Sequence, residues 1–260
     1  GTGGPTWSRD TKAWGFNELG YLVEIPIGCA FFGGARLVRN IVSSTEDVST
    51  ASWTKANVTT PSANTVVCSA STTLQQIYGG NKNYVIGEKY LIKARLSYVD
   101  HPYVQIHISA GGSIAGANFD IQNGTYQTIA GASASISLVS PGVYDCSVWI
   151  TATITATFVV SPKINFVSGL GAALNAAFAG DGIKSFGITR IQMNDVTGYD
   201  ASYVPEYVSV GVASSPYFGA GIDGAKYFET DWQGAPIAAA NLLGFRREAA
   251  ATNNLLHSRD

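Results

Sequence analysis

Lys89-Tyr90-Leu91-Ile92-Lys93-Ala94-Arg95-Leu96-Ser97-Tyr98-Val99 is the stretch that decides the fold class. Tyr90, Ile92, Ala94, Leu96 and Tyr98 fall on one side of an extended chain, and Lys89, Lys93, Arg95 and Ser97 on the other. Successive side chains of a strand point to opposite faces, so this period of two predicts a strand with one covered face. Val143 to Thr151 repeats the device, with Tyr144, Cys146, Val148 and Ile150 inward and Asp145, Ser147 and Trp149 outward. Between these segments Val104, Ile106 and Ile108 face inward, which leaves His101, Tyr103, Gln105 and His107 together on an outer face. Further on, Thr151, Thr153, Thr155 and Thr157 alternate with Ala152, Ile154, Ala156 and Phe158. Many short antiparallel strands separated by turn residues predict an all-β fold, a jelly-roll-like antiparallel β-sandwich with short β-rich flanking segments.

The sandwich is expected over residues 41–208. Residues 1–40 form short apolar pieces broken by Gly20, Pro26, Gly28, Gly33 and Gly34, a lead-in of short strands. Residues 209–260 read as a β-hairpin linker and the start of a following module, with short pieces at Tyr207 to Val212 and Ala225 to Phe228. Gly169 to Gly180 (GLGAALNAAFAG) breaks the alternation and is too glycine-rich for a helix. It reads either as a loop folded over one end of the sandwich or as an apolar subunit contact. Asn40-Ile41-Val42-Ser43-Ser44-Thr45-Glu46-Asp47 is partly repeated by Asn254-Leu255-Leu256-His257-Ser258-Arg259-Asp260. With a start at Gly1-Thr2-Gly3-Gly4, this repeat suggests a slice of a longer string of modules.

Charged residues make up 13% of the chain, against roughly 25% in an ordinary domain, and the net charge is −2. The basic residues are scattered, so no nucleic-acid footprint is present. No run of about 18 apolar residues encodes a membrane span. Cys29, Cys68 and Cys146 are far apart and odd in number, which suits small core hydrophobes better than a disulfide framework or a zinc site.

Glycoside hydrolysis needs two facing carboxylates, and no strand presents two acids on one face; no GxSxG elbow is present either. The chain therefore reads as non-catalytic. His101 and His107 sit roughly 20 Å apart along an extended chain and cannot share an ion. A structural Ca²⁺ could draw oxygens from Glu46, Asp47, Asp181 or Asp195, although solvated turn acids are the simpler reading. Sugar recognition needs aromatic faces beside planar polar groups. The row His101, Tyr103, Gln105 and His107 offers both, with Arg95, Asp145 and Trp149 expected on neighbouring strands. The same row also fits a solvated sheet face, or one covered by flanking segments or by another subunit.

Three motifs stand in order along the chain. The first is Asn40-Ile41-Val42, Ser44, Glu46-Asp47 and Trp53-Thr54. The second is Phe119-Asp120, Asn123-Gly124 and Tyr144-Asp145-Cys146-Ser147-Val148. The third is Gly180-Asp181-Gly182, Gln192-Met193-Asn194 and Ser202-Tyr203-Val204-Pro205. Together with Pro5-Thr6-Trp7-Ser8-Arg9 and Asp223-Gly224-Ala225-Lys226-Tyr227-Phe228, this order resembles the carbohydrate-binding-module-like sandwich repeats of tailed-phage virion proteins, found in head fibres, tail fibres and tail spikes. The chain departs from that family at Asn194, where the family usually carries Glu.

The resemblance implies a module at the virion surface, assembled in the host cytoplasm and acting outside the cell. The partners it implies are a host surface glycan, other virion proteins and further copies of the chain, a trimer by analogy with fibres. It equally allows a purely structural capsid-decoration or fibre-shaft unit with no ligand of its own. Trp53 and Tyr203, although they match the family, read as packing residues rather than ligands.

Overall fold

The alternation at 89–99 becomes a ten-residue strand at the middle of a six-stranded sheet. The structure, a computed structural model, describes residues 10–246 apart from 80–81, 85, 111–112, 154–155, 161 and 213–219. The Pro5–Arg9 motif, the second copy of the Asn-led repeat and His257 lie outside the described residues.

The first strands are β1 (Ala13–Phe16), β2 (Leu22–Ile25), β3 (Phe31–Gly33) and β4 (Arg36–Arg39). They are followed by β5 (Trp53–Ala56), β6 (Val58–Ser62), β7 (Thr65–Cys68), β8 (Gln76–Gly79) and β9 (Lys82–Tyr84). The long strands are β10 (Lys89–Tyr98), β11 (Tyr103–Ala110), β12 (Ser113–Asp120), β13 (Thr125–Ile129), β14 (Ser133–Ser140) and β15 (Val143–Thr151). β16 (Ala156–Val160), β17 (Pro162–Phe166), β18 (Ser185–Asp195), β19 (Ala225–Phe228) and β20 (Gly244–Arg246) complete the set.

The chain divides into two compact units, residues 39–215 and the pair of segments 1–38 and 216–260. The larger unit is the expected antiparallel β-sandwich. Its first sheet runs β14-β15-β10-β18-β7-β6 and its second β13-β12-β11-β17-β8-β5. The inward residues named from the alternation meet between the sheets: Ile92, Ala94, Leu96, Cys146 and Val148 from one, Val104, Ile106 and Ile108 from the other. Phe119, Phe166 and Phe186 are fully buried among them, and the Phe166 and Phe186 rings lie 4.6 Å apart between centroids. Burying aromatic rings of this size removes a large apolar area from water, which is the main favourable term holding the two sheets together.

In the second unit the segments read separately as lead-in and tail are paired with each other. β4 pairs with β19, and β3 with β20. Arg36 is buried there: its Nε donates to the Thr230 carbonyl at 2.9 Å and its guanidinium lies over the Phe228 ring. Two local expectations fail. β15 ends at Thr151 and residues 152–153 lie in no strand, while Thr157 falls in β16, which pairs with β9 in a separate ribbon; Ile154 and Thr155 lie outside the described residues. Residues 207–212 form no strand, although Val210 bonds to Thr45 through both its N–H and its carbonyl.

Asn40 ties the start of the sandwich to its end. Its Oδ1 accepts from the backbone N–H of Val42 and Met193, and its Nδ2 donates to the carbonyls of Ile191 and Val208. Trp53 is buried and its Nε1 donates to the Ser44 carbonyl, while Ser44 Oγ donates to the Asp47 carbonyl. In the third motif, the Asp181 carboxylate accepts from the N–H groups of Ile183 and Lys184, and Gly182 takes φ +82, a conformation that favours glycine. Asn194 is 2% exposed and its Nδ2 donates to the Arg39 carbonyl. A neutral amide suits this site because an ionised Glu there would be desolvated.

Asn40→Ala strands buried polar groups from three separate segments, each costing about 1–3 kcal/mol when unpaired. Urea unfolding is expected to show a loss of about 3 kcal/mol or more, against no more than about 0.5 kcal/mol for the exposed Gln127→Ala. Equal effects at the two sites would contradict the role given to Asn40.

Candidate functional site

The outer face of the second sheet carries a row of side-chain amides. Strand register aligns Gln127, Asn118, Gln105, Asn165 and Gln76 across β13, β12, β11, β17 and β8. Gln127 is exposed and the other four are buried. The chain's own 169–175 segment is bonded to two of them, Gln105 and Asn118. Gln105 Nε2 donates to Asn118 Oδ1 at 2.7 Å and to the Ala173 carbonyl at 3.0 Å, and Gln105 Oε1 accepts from Asn175 N–H. Asn118 Nδ2 donates to the carbonyls of Leu170 and Ala172, both at 2.7 Å. Asn165 Nδ2 meets His107 Nε2 at 2.9 Å.

Of the two readings of Gly169 to Gly180, the structure therefore shows a fold-over loop, lying across a sheet face rather than an end. Its far side is held by Phe178, which stacks on Phe166, and by Gln75, whose Nε2 donates to the carbonyls of Ser69, Ser71 and Phe178. Gly180 lies against Gln75 and the Ser69 carbonyl so closely that a Cβ there would collide with both.

This arrangement corrects the picture of an open histidine row. Gln105 and His107 have no exposed surface, and His101 has 4%. His101 precedes β11 and packs edge-on to Phe178, with Nε2 facing the carbonyls of Tyr103 and Val167. Burial lowers its pKa. Burial, aided by Lys163, lowers that of His107 to about 4. Tyr103 alone of the row is half-buried. A surface covered by another segment of the same chain is the reading that the geometry supports.

Arg95, Asp145 and Trp149 lie elsewhere. They belong to β10 and β15 of the first sheet, not to neighbours of β11, so the expected ligand set does not gather in one place. Register places Leu91, Trp149 and Asn194 side by side. The segment 203–208 covers that end: Trp149 Nε1 donates to the Tyr203 carbonyl at 2.9 Å, and Gln192 Nε2 to the Pro205 carbonyl at 3.2 Å. Tyr203 is itself buried.

The other end of the same face is open and ionic. Arg95 forks onto Asp145, with Nε to Oδ1 at 2.7 Å and Nη2 to Oδ2 at 3.0 Å, and Lys93 Nζ reaches Asp145 Oδ2 at 3.1 Å. Side-chain exposure is 28% for Lys93, 26% for Arg95 and 12% for Asp145, so a ligand can touch the two cations over a carboxylate that fixes them. Burial pushes the Asp145 pKa up, but the hydrogen bonds from Arg95 and Lys93 outweigh it and the net shift is downward. The same bond raises the pKa of Arg95. Arg190 pairs with Arg95 in register, is exposed and lies over the Tyr207 ring at 4.9 Å. Tyr207 donates to Glu46 Oε1 or Thr45 Oγ1 from its hydroxyl, which holds the ring in place.

Glu46 is thus engaged with Tyr207, while Asp47 accepts from Ser49, Asp181 from its own turn and Asp195 from Thr197 N–H. Among the described residues no three His, Cys, Asp or Glu side chains gather in metal-binding range. Nor is any helix there long and apolar enough to cross a membrane. All three cysteines are buried and unpaired with one another. Sequence reasoning did not single out Asn118, Asn165 and Gln76, nor Arg190 and Tyr207. Each sits at an outward position of its strand or segment, but only the pairing order shows which of them share a rung. No family model matches this sequence, and no curated protein matches it.

His107 sets a pH dependence. Its ordinary pKa of about 6.5 applies in the unfolded chain, and in the folded chain it is about 4. Between those values only the unfolded chain takes up the proton, so stability is full above about pH 6.5 and falls as pH drops towards 4. The total is about 3 kcal/mol from this group. His101 acts in the same direction. Denaturant unfolding from pH 7 to 4 is expected to show a smaller decline for His107→Gln than for the unaltered protein. Parallel declines would contradict the assignment.

Proposed function

We propose that the chain is a non-catalytic module of a tailed-phage virion surface protein, of a fibre, spike or head decoration, that helps attach the particle to host cell-surface glycans. The observation that carries the binding half is the open ionic end of the first sheet: Lys93 and Arg95 over Asp145, next to the Arg190–Tyr207 pair. Cationic donors held by a carboxylate match the hydroxyls of a sugar, and the Arg190–Tyr207 pair borders them. Arg95 spends two of its five N–H donors on Asp145, and the bidentate pair keeps the guanidinium from reorienting when a sugar arrives. The virion half draws on the motif order. The structure gives those motifs fastening roles in a sandwich, which any sandwich of this build could use.

The second reading is a structural capsid-decoration or fibre-shaft unit with no ligand. It is favoured by the uncharged edge of β14, which has no partner strand among the described residues.

Binding to an array of bacterial surface polysaccharides tests the first reading. Lys93→Ala and Arg190→Ala are each expected to weaken binding about tenfold, the equivalent of about 1.4 kcal/mol, while His107→Gln leaves it unchanged. No binding to any polysaccharide, or loss on His107→Gln with the two cation variants unaffected, would overturn it.

A further inference from the structure

β14 ends the first sheet, and among the described residues no strand pairs with its outer side. An open strand edge presents a row of backbone N–H and C=O groups that can pair with another strand, and proteins ordinarily block it with charge, proline or a bulge. The edges on the far side of this sandwich are blocked in that way. β6 contains Pro61 and a register break between Thr59 and Ser62. β5 contains Lys55, whose ammonium bonds to the Ser49 and Thr50 carbonyls.

β14 has neither device over most of its length. Every residue from Ile121 to Tyr144 is uncharged. The strand reads Ser-Ala-Ser-Ile-Ser-Leu-Val-Ser, and its register against β15 is unbroken from Ser133 to Leu138, with the shift falling between Leu138 and Ser140. Ser133, Ser135 and Ser137 are exposed on the outer face, while Ala134 and Ile136 pack on the core and remain partly open. Leu138 is 64% and Val139 43% exposed.

We propose that β14 pairs antiparallel with β14 of a second copy of this chain, joining the first sheets of two sandwiches into one continuous sheet. A two-fold pairing sets the strand against itself, so its sequence must be self-compatible. An uncharged Ser/Ala/Ile strand meets that condition: serines face serines on the outer side, and Ala134 and Ile136 extend the apolar layer on the inner side. A strand carrying like charges would repel its own copy. The pairing covers Leu138 and completes the burial of Ile136. One short strand per copy makes a contact smaller than the roughly 1,200 Å² of a stable complex, so the dimer is concentration-dependent. A two-fold edge contact also yields a dimer, not the three-fold assembly expected by analogy with fibres.

Sedimentation or light scattering of the full chain, from micromolar to millimolar concentration, is expected to show mass rising from 27.3 kDa to twice that value. A triple variant, Ser133→Lys, Ser135→Lys and Ser137→Lys, and its counterpart with Glu at all three positions should each stay monomeric with an unchanged melting temperature. Mixed in equal amounts, the two should form a dimer again, which separates lost pairing from lost folding. An unaltered chain that is monomeric throughout, a trimer, or a dimer that survives in the Lys variant overturns the proposal.

Discussion

A buried side-chain amide needs partners for its two donors and its carbonyl oxygen, and each group left unpaired costs about 1–3 kcal/mol. This protein uses that requirement to fix chain that has no place in a sheet. Asn40 binds backbone from the start of the sandwich, from β18 and from the segment after it. Gln75 holds the 178–180 corner, and Gln105 with Asn118 holds the 169–175 segment. Gln192 does the same for Pro205, and Asn194 bonds the Arg39 carbonyl at the end of β4. A loop of glycine and alanine has little side-chain surface with which to anchor itself, so its carbonyls supply the attachment. The hydrophobic core brings the two sheets together, and the amides decide what lies on their outer faces.

The functional reading follows from that division. One outer face is closed from within by 169–175, and half of the other by 203–208. The Gln127 end of the amide row and the outer serines of β14 stay open, as does the charged patch of Lys93, Arg95, Asp145 and Arg190. Its two β10 cations are tethered to a carboxylate that their own bonds keep ionised, so the patch retains its polarity and its geometry over the ordinary pH range. His101 and His107, expected as ligands in an outward row, have their pKa lowered by burial and serve as packing.

The buried faces of β10, β11 and β15 were legible because a period of two is a local property, visible in ten consecutive residues. Trp53 and Tyr203 were legible as packing residues and are buried. Which strands are neighbours is not local. Arg95 and His107 looked like members of one site, yet β10 and β11 are consecutive in sequence and belong to different sheets. Outward also did not mean exposed. Gln105 and His107 alternate correctly with Ile106 yet both are fully buried, and a non-periodic segment more than sixty residues later in the chain is bonded over Gln105. Its backbone carbonyls and the Asn175 N–H make these bonds, and no residue type advertises a backbone group.

Hydrogen exchange of the side-chain NH₂ groups, read by NMR on nitrogen-labelled protein, tests this most directly. Gln127 and Gln105 stand two strands apart in one rung, the first exposed and the second held by the 169–175 segment. The amides of Gln105, Asn118 and Asn40 are predicted to exchange far more slowly than that of Gln127. Exchange at the same rate would mean that the segment does not close the face, and the histidine row would again be a surface.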